Sequence, residues 1–252
     1  MHFAVLGSGS RGNAYLVAQG SDYILIDCGF SLRELELRLA RLGLMPWEIS
    51  AILVSHEHSD HSQGVERFSR RYNVPVYLSH GTWKGMKESV TPAAFLEPQT
   101  FFALNSLCIM SVPVPHDARQ PLQFVITDGL RRLGVLTDLG IPGPEVLTHY
   151  QELDALIIEA NHDRDMLLSG GYPYYLKKRI DGRGGHMNNQ QSAELTKQLG
   201  WRNLQHLVLA HLSEKNNQPS KARAAFVDVL DCDPDWIQIA NQQDGLGWRQ
   251  ID

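Results

Sequence analysis

The sequence predicts an α+β chain of one domain, and three observations carry that prediction. Apolar runs of four to six residues recur at 2–6, 14–17, 23–26, 49–54, 107–112, 123–127, 133–136, 155–159 and 206–210, strand-length and too short for helices. Between several of them lie patterns of helical period, and no linker, low-complexity run or charge block divides the 252 residues. Several of the strands also run directly into histidine or aspartate, which places chemistry at strand ends.

Composition narrows the function classes. With 43% hydrophobic and 20% charged residues the chain has ordinary globular usage, which excludes disorder. A net charge of -5 gives no global attraction for polyanions, so a nucleic-acid substrate would have to be held by metals and a local basic patch. Cys28, Cys108 and Cys232 are widely spaced and include no C-x-x-C pair, which argues against a disulfide framework or zinc knuckle and fits a reducing cytoplasm. The first residues lack a basic leader, and no stretch approaches the length of a membrane span, so a cytoplasmic protein with no membrane partner is expected.

In chain order, residues 2–6 read as a strand leading into the glycine-rich segment from Gly7 to Asn13, whose amides, with the side chains of Ser10, Arg11 and Asn13, could cradle a phosphate or simply form a turn. Asp27 closes the third strand, where a carboxylate serves most often as a structural acceptor, and Cys28 reads as a buried thiol. Ser31 caps a helix whose Leu32, Leu35, Leu39 and Leu42 form one stripe ended by Gly43, which is packing and not chemistry.

The buried run 49–54 then feeds Ser55-His56-Glu57-His58-Ser59-Asp60-His61, followed by a helical pattern through Val65, Phe68 and Tyr72. In an extended segment His56 and His58 point to one side and Glu57 to the other, while Asp60 and His61 come from the helix start. Four such side chains can converge on two adjacent cations. Residues 74–79 read as another strand, with His80 as an ordinary polar residue beyond it. Pro115 stiffens the turn that carries His116 off the strand at 107–112, which suits coordination. Asp138 stands at the end of the second strand of a hairpin, before Gly140, and Glu159 to Asp163 follow a buried strand. Tyr172 to Arg179 is the one dense basic stretch and has tyrosines beside it; it reads equally as a solvated helix face or as a surface for a nucleic-acid strand, with Lys177 and Arg179 on the phosphates. His186 sits in a glycine- and asparagine-framed loop and could protonate a leaving oxygen or simply satisfy loop carbonyls. Residues 190–199 and 219–230 read as helices, His211 follows the strand at 206–210, and residues 236–240 and 246–250 as final strands.

The run His56-x-His58-x-Asp60-His61 resembles the signature of the metallo-β-lactamase superfamily, without a substitution. That resemblance implies a four-layer αββα sandwich, two mixed β-sheets flanked by helices, with metals at one edge. It implies a metal set of His56, His58, Asp60, His61, His116, Asp138 and His211, with Asp138 bridging two cations and Asp27 supporting the metal loop. Zinc or manganese suits these ligands, and iron is compatible with them. The cation pair would activate a bridging hydroxide for hydrolysis, with Asp60 and His186 as the catalytic residues. Histidine at position 58 departs from the glutamate usual in the di-iron redox members.

The segments from Leu6 to Asn13, Glu159 to Asp163, Tyr172 to Arg179, Gly185 to Asn189 and His211 to Asn217 closely resemble the YycJ/WalJ-like exonuclease branch of that superfamily, over nearly the whole chain. Met187 and Asn188 stand where the branch usually has leucine and serine. The resemblance implies a nuclease acting on nucleic acid with a free 5′ end, DNA favoured, and Ser10, Asn13, His162, Lys177, Arg179, His186 and Asn188 are the candidate substrate contacts. A thioester or cyclic phosphodiester hydrolase, and a catalytically silent metal- or nucleic-acid-binding regulator, stay open as alternatives.

Overall fold

The apolar runs are buried on both faces, which is why they read as continuous and not alternating sequence. A computed structural model describes residues 1–87 and 89–252. In its first half, strands β1 (His2–Gly7), β2 (Ala14–Gln19), β3 (Asp22–Ile26), β4 (Ile49–Val54), β5 (Val76–Leu78) and β6 (Ala94–Phe95) form one sheet. Strands β7 (Thr100–Leu104), β8 (Leu107–Pro113), β9 (Leu122–Thr127), β10 (Arg132–Leu136), β11 (Ala155–Glu159), β12 (His206–Ala210) and β13 (Ile237–Ile239) form the other. The last strand, β14 (Leu246–Gln250), crosses back to pair antiparallel with β1 at the edge of the first sheet.

Strand β4 shows how the layers are built. Ala51 and Leu53 point into the core between the sheets, with Phe3, Ile24, Phe124 and Ile157, while Ile52 and Val54 point outward to Leu35, Leu39 and Phe68. Those outer partners belong to α1 (Leu32–Arg41) and α3 (Val65–Tyr72). On the other sheet, Val208 and Ala210 of β12 face inward, and Leu207 and Leu209 face Val146, Ala193 and Phe226. These lie on α5 (Pro144–His149), α8 (Asn189–Leu199) and α9 (Pro219–Leu230). The result is the helix–sheet–sheet–helix sandwich expected from the sequence.

Short helices at one edge were less legible. Residues 74–79 hold only a three-residue strand, because Ser79 leaves it to cap α4 (His80–Gly85), its Oγ accepting from Thr82 N at 3.0 Å. Likewise α2 (Ser59–Ser62), α6 (Arg164–Ser169) and α7 (Tyr174–Ile180) are too short to show a helical period. The central strands β10, β11 and β12 are parallel and in register, so their carboxyl ends open at the same edge. Among the described residues no helix is long and apolar enough to cross a membrane.

Candidate metal centre

At that edge, three residues just past strand ends adopt the left-handed backbone region without being glycine: Asp27 (φ 60°) after β3, Asp138 (φ 58°) after β10 and His211 (φ 54°) after β12. Such conformations cost about 1–3 kcal/mol each, so the surrounding contacts must hold them. They turn the three side chains inward at the edge where the sheets meet. Gly29 lets the chain after Asp27 close on α2, since a Cβ there would lie 1.7 Å from the Asp60 carbonyl oxygen.

The metal set read from the sequence comes together here. His56 Nε2 is 3.2 Å from His58 Nδ1, which is 3.3 Å from His116 Nε2. Burial, reinforced by the charge of His61, holds His56 well below the ordinary imidazole value, and burial lowers His116. Lone pairs that face one another at this distance repel unless a proton or a cation lies between them. Their spacing is that of two nitrogens bound tetrahedrally at about 2.0–2.1 Å from zinc. Beside this trio, Asp60 Oδ2 is 3.5 Å from both His61 Nε2 and His211 Nε2. Asp138 reaches both groups: Oδ1 is 3.9 Å from His116 Nε2 and 3.6 Å from His211 Nε2, and Oδ2 is 3.3 Å from His61 Nε2. Asp138 Oδ2 is buried without a hydrogen bond of good geometry, an expensive arrangement unless something positive is bound. The donor set therefore fits divalent cations.

The far nitrogens of His56, His61, His116 and His211 are occupied, which fixes which nitrogen of each faces the centre. Asp27 Oδ2 lies 2.7 Å from His61 Nδ1, and the same carboxylate accepts from Ser55 N and Ser55 Oγ at 2.8 Å each. Ser55 Oγ is 2.9 Å from His56 Nδ1, and His116 Nδ1 is 3.1 Å from the Gly185 carbonyl. Without metal, burial opposes protonation of His61 and His211, yet the carboxylates prevail. Asp138, Asp27 and Asp60 raise His61 well above 6.5, and Asp138, Asp60 and Glu159 push His211 up to about 10.

Glu159 is a functional residue that the sequence reading passed over. Fully buried at the end of β11, it accepts from Asp138 N (3.1 Å) and Met187 N (2.9 Å) and faces His186 Nδ1 (2.9 Å) and His211 Nδ1 (3.2 Å). Burial pushes its carboxyl up, but the charge and hydrogen bonds of His186, with that of His211, bring it down to about 2. Burial pushes His186 down, and Glu159 with Asp138 raises it overall. A signal was available: a carboxylate ends the strand between those that lead to Asp138 and His211.

A cleft of about 530 Å³ opens onto the centre, lined by His58, Asp60, His116, Asp138 and His186 and walled by Met86, Lys87, Leu176, Arg179 and Ile180. Glu57 turns from the donors as expected, its Oε1 accepting from Arg119 N at 2.9 Å, but it also lines this cleft. Arg179 stands at the cleft, its Nε donating to Asp117 Oδ2 at 2.6 Å.

Other expected substrate contacts are placed elsewhere. The glycine-rich loop is no phosphate cradle, because the amides of Ser8, Gly9, Arg11, Gly12 and Asn13 already bond to Asn241 O, Asn13 Oδ1, Gln242 Oε1, Gly9 O and Asp60 O. Asn13 is buried, its Nδ2 3.2 Å from His61 Nε2, so it braces the metal turn, while Ser10 is exposed outside the cleft. His162 is fully buried, with Nε2 3.4 Å from Asp181 Oδ1, and cannot touch a substrate. Lys177 Nζ donates to Leu168 O at 2.6 Å, away from the cleft, and Asn188 spends its side chain capping α8 through Gln191 N at 3.0 Å.

Comparison with known proteins agrees with this architecture. Residues 22–212 match the family model described as the Beta-lactamase superfamily domain. The chain is 33% identical over 239 residues to exodeoxyribonuclease YycJ of Bacillus anthracis, covering 92% of this chain and 89% of that one. It is 32% identical over 236 residues to exodeoxyribonuclease WalJ of Streptococcus pneumoniae, covering 90% and 87%. Among solved structures, the metallo-beta-lactamase fold protein YhfI of Bacillus subtilis superposes with a TM-score of 0.73 at 18% identity, covering 96% of this chain and 97% of that one.

Proposed function

This chain belongs to the metallo-β-lactamase superfamily and is a metal-dependent hydrolase, and from that premise we propose that it is a cytoplasmic exonuclease that removes nucleotides from the free 5′ end of DNA. The observation that carries the reading is Asp138, whose two oxygens face the His56–His58–His116 trio on one side and His61 and His211 on the other. We assign His56, His58 and His116 to one cation, Asp60, His61 and His211 to a second, and Asp138 to both. Zinc or manganese suits the set, and iron is compatible with it.

Cations held by these residues would supply hydroxide at neutral pH and would offset charge on a phosphoryl oxygen. The protein's own groups do the rest. His186 keeps its Nδ1–H on Glu159 and turns the other nitrogen to the cleft, where it protonates the leaving 3′ oxygen as the phosphorus–oxygen bond breaks. Asp60, a quarter exposed to the cleft, is held ionised in the metal-free protein, where burial resists but the His61 charge and the hydrogen bond of His211 prevail; with those two rings on a cation its carboxylate would still accept the hydrogen bond of the attacking water. Arg179 offers its remaining donors to the flanking phosphate. The adjoining Tyr174 and Tyr175, 80% and 73% exposed, are free to stack on bases. The two relatives named exodeoxyribonucleases, matched over nine-tenths of this chain, favour DNA as the polymer.

The test is a substrate panel run after chelation and again with manganese or zinc restored: 5′-phosphorylated single-stranded DNA, the same sequence as RNA, bis(p-nitrophenyl) phosphate and a thioester. Metal-dependent release of mononucleotides from the 5′ end of DNA is expected. Turnover of the thioester alone would overturn the reading, as would binding of DNA that survives chelation with no hydrolysis in any arm.

A further inference from the structure

Ser8, Asn13 and Tyr15, where β1 gives way to β2, are buried polar side chains that line no part of the cleft, so they cannot touch a substrate. They bond first to one another and to their own loop. Gly9 N donates to Asn13 Oδ1 at 2.9 Å and Asn13 Nδ2 donates back to Gly9 O at 3.0 Å, which fixes the orientation of the amide. Ser8 Oγ donates to the same Oδ1 at 2.9 Å, so the Tyr15 hydroxyl, 3.0 Å from Ser8 Oγ, is the donor of that pair. Gln242 holds the outer end of the loop, its Oε1 accepting from Arg11 N at 2.7 Å and its Nε2 donating to Gly12 O at 2.8 Å.

The remaining bonding capacity of this network goes to one half of the metal set. Ser8 Oγ accepts from His211 N at 2.8 Å and Asn161 Nδ2 donates to His211 O at 3.0 Å, so both backbone polar groups of His211 are held in its left-handed turn. Asn13 N donates to Asp60 O at 2.8 Å, and Asn13 Nδ2 stands 3.2 Å from His61 Nε2, the nitrogen that faces Asp60 and Asp138. Asp60, His61 and His211 are the residues assigned to the second cation. Among the described residues no hydrogen bond of Ser8, Asn13 or Tyr15 reaches His56, His58 or His116. Those rings are held from other segments, His56 by Ser55 Oγ and His116 by the Gly185 carbonyl. Loss of the Ser8 hydroxyl would leave the His211 amide buried without a partner and a strained turn with less to hold it.

We propose that Ser8, Asn13 and Tyr15 are positioning residues for one cation only: they set the geometry of Asp60, His61 and His211 and so decide whether the centre holds one cation or two. This rests on the two-cation assignment above and adds to it that the pair is unequal. The His56–His58–His116 position is independent of the glycine-rich loop, and the Asp60–His61–His211 position depends on it.

Zinc binding to the full-length protein tests this, by elemental analysis and by competition against a chromogenic chelator. The parent protein should take up two zinc ions per chain. In Ser8→Ala the affinity for one ion should fall about 10–100-fold and in Tyr15→Phe about tenfold, with the other ion held as in the parent. Combined variants identify the ion that is lost. His116→Ala keeps the loop-dependent ion, which adding Ser8→Ala should weaken, whereas His211→Ala keeps the other, which adding Ser8→Ala should leave alone. Tyr15→Phe retains its ring in the core, and the same combinations made with it carry the test if Ser8→Ala does not fold, as judged by melts of the chelated proteins. Hydrolysis of bis(p-nitrophenyl) phosphate by the single variants should need more zinc and approach the parent rate at saturation. Parental affinity for both ions in Ser8→Ala and Tyr15→Phe would overturn the proposal, as would equal loss of both ions, which marks a general structural role. A parent protein that takes up a single zinc ion would bring down the two-cation assignment itself, and the proposal with it.

Discussion

Glu159 Oε2 lies 2.9 Å from His186 Nδ1, a buried carboxylate holding the imidazole by the nitrogen that does not face the cleft. In the metal-free protein burial alone would depress His186, and Glu159 with Asp138 raises it; the Glu159 contact is the one that would still favour its acid form once Asp138 is bound to metal. A general acid must be protonated, so activity should decline as pH rises through this pKa. Glu159→Gln should move that declining limb to lower pH, while His186→Ala should keep its metals and lose about 10²–10⁴-fold in kcat. Unaltered turnover in a fully metallated His186→Ala protein would discard the acid role, and an unmoved alkaline limb in Glu159→Gln would remove Glu159 from it.

Asp138 offers oxygens to both donor groups, so Asp138→Asn should cost the protein most of its bound metal as well as its activity. In the metal-free state the same change leaves His61 and His211 short of a counter-charge and should destabilise the fold by about 3–5 kcal/mol. Elemental analysis and chelated thermal melts read the two effects separately. Full metal content in the variant would refute the bridging position.

Asp27 acts through His61 and Ser55 without facing the cations' site itself. Asp27→Ala should therefore weaken metal affinity about 10–100-fold while a saturating metal concentration restores much of the turnover. Competition against a chromogenic chelator measures the shift, and a variant with parental affinity would show that the His61 ring needs no such anchor.

Metal uptake should release protons. His211, pushed up to about 10, and His61, raised well above 6.5, are charged at neutral pH in the empty site, so a cation has to displace their protons. Apparent affinity should climb with pH until the pH passes those values, and calorimetry in buffers of different ionisation enthalpy should count the protons. For the metal-free protein the sign is opposite. Stability from these histidines is complete below 6.5 and lost as pH rises through about 10, whereas that from Glu159 is present above 4.5 and lost as pH falls through about 2. Affinity flat from pH 6 to 9 would contradict this account.

The sequence by itself determined what lies within a few residues of itself. Ala51 to Val54 alternate between two buried faces, so the strand reads as continuous apolar text, and His56 to His61 fall on one strand-to-helix turn whose local geometry aims them together. Asp27, His116, Asp138 and His211 were legible through their strand-end positions and the likeness to a known superfamily. What tertiary structure alone decided is how distant segments use one another's polar groups. Asn13 turned from a phosphate to His61, His162 was closed in behind Asp181, and the Ser8 hydroxyl accepted the amide of His211 at 2.8 Å across 203 positions of chain. Glu159 became the hub of His186 and His211 only because parallel pairing brings the ends of β10, β11 and β12 to one edge. A buried donor or acceptor takes whichever partner the fold delivers, and sequence spacing does not encode that delivery.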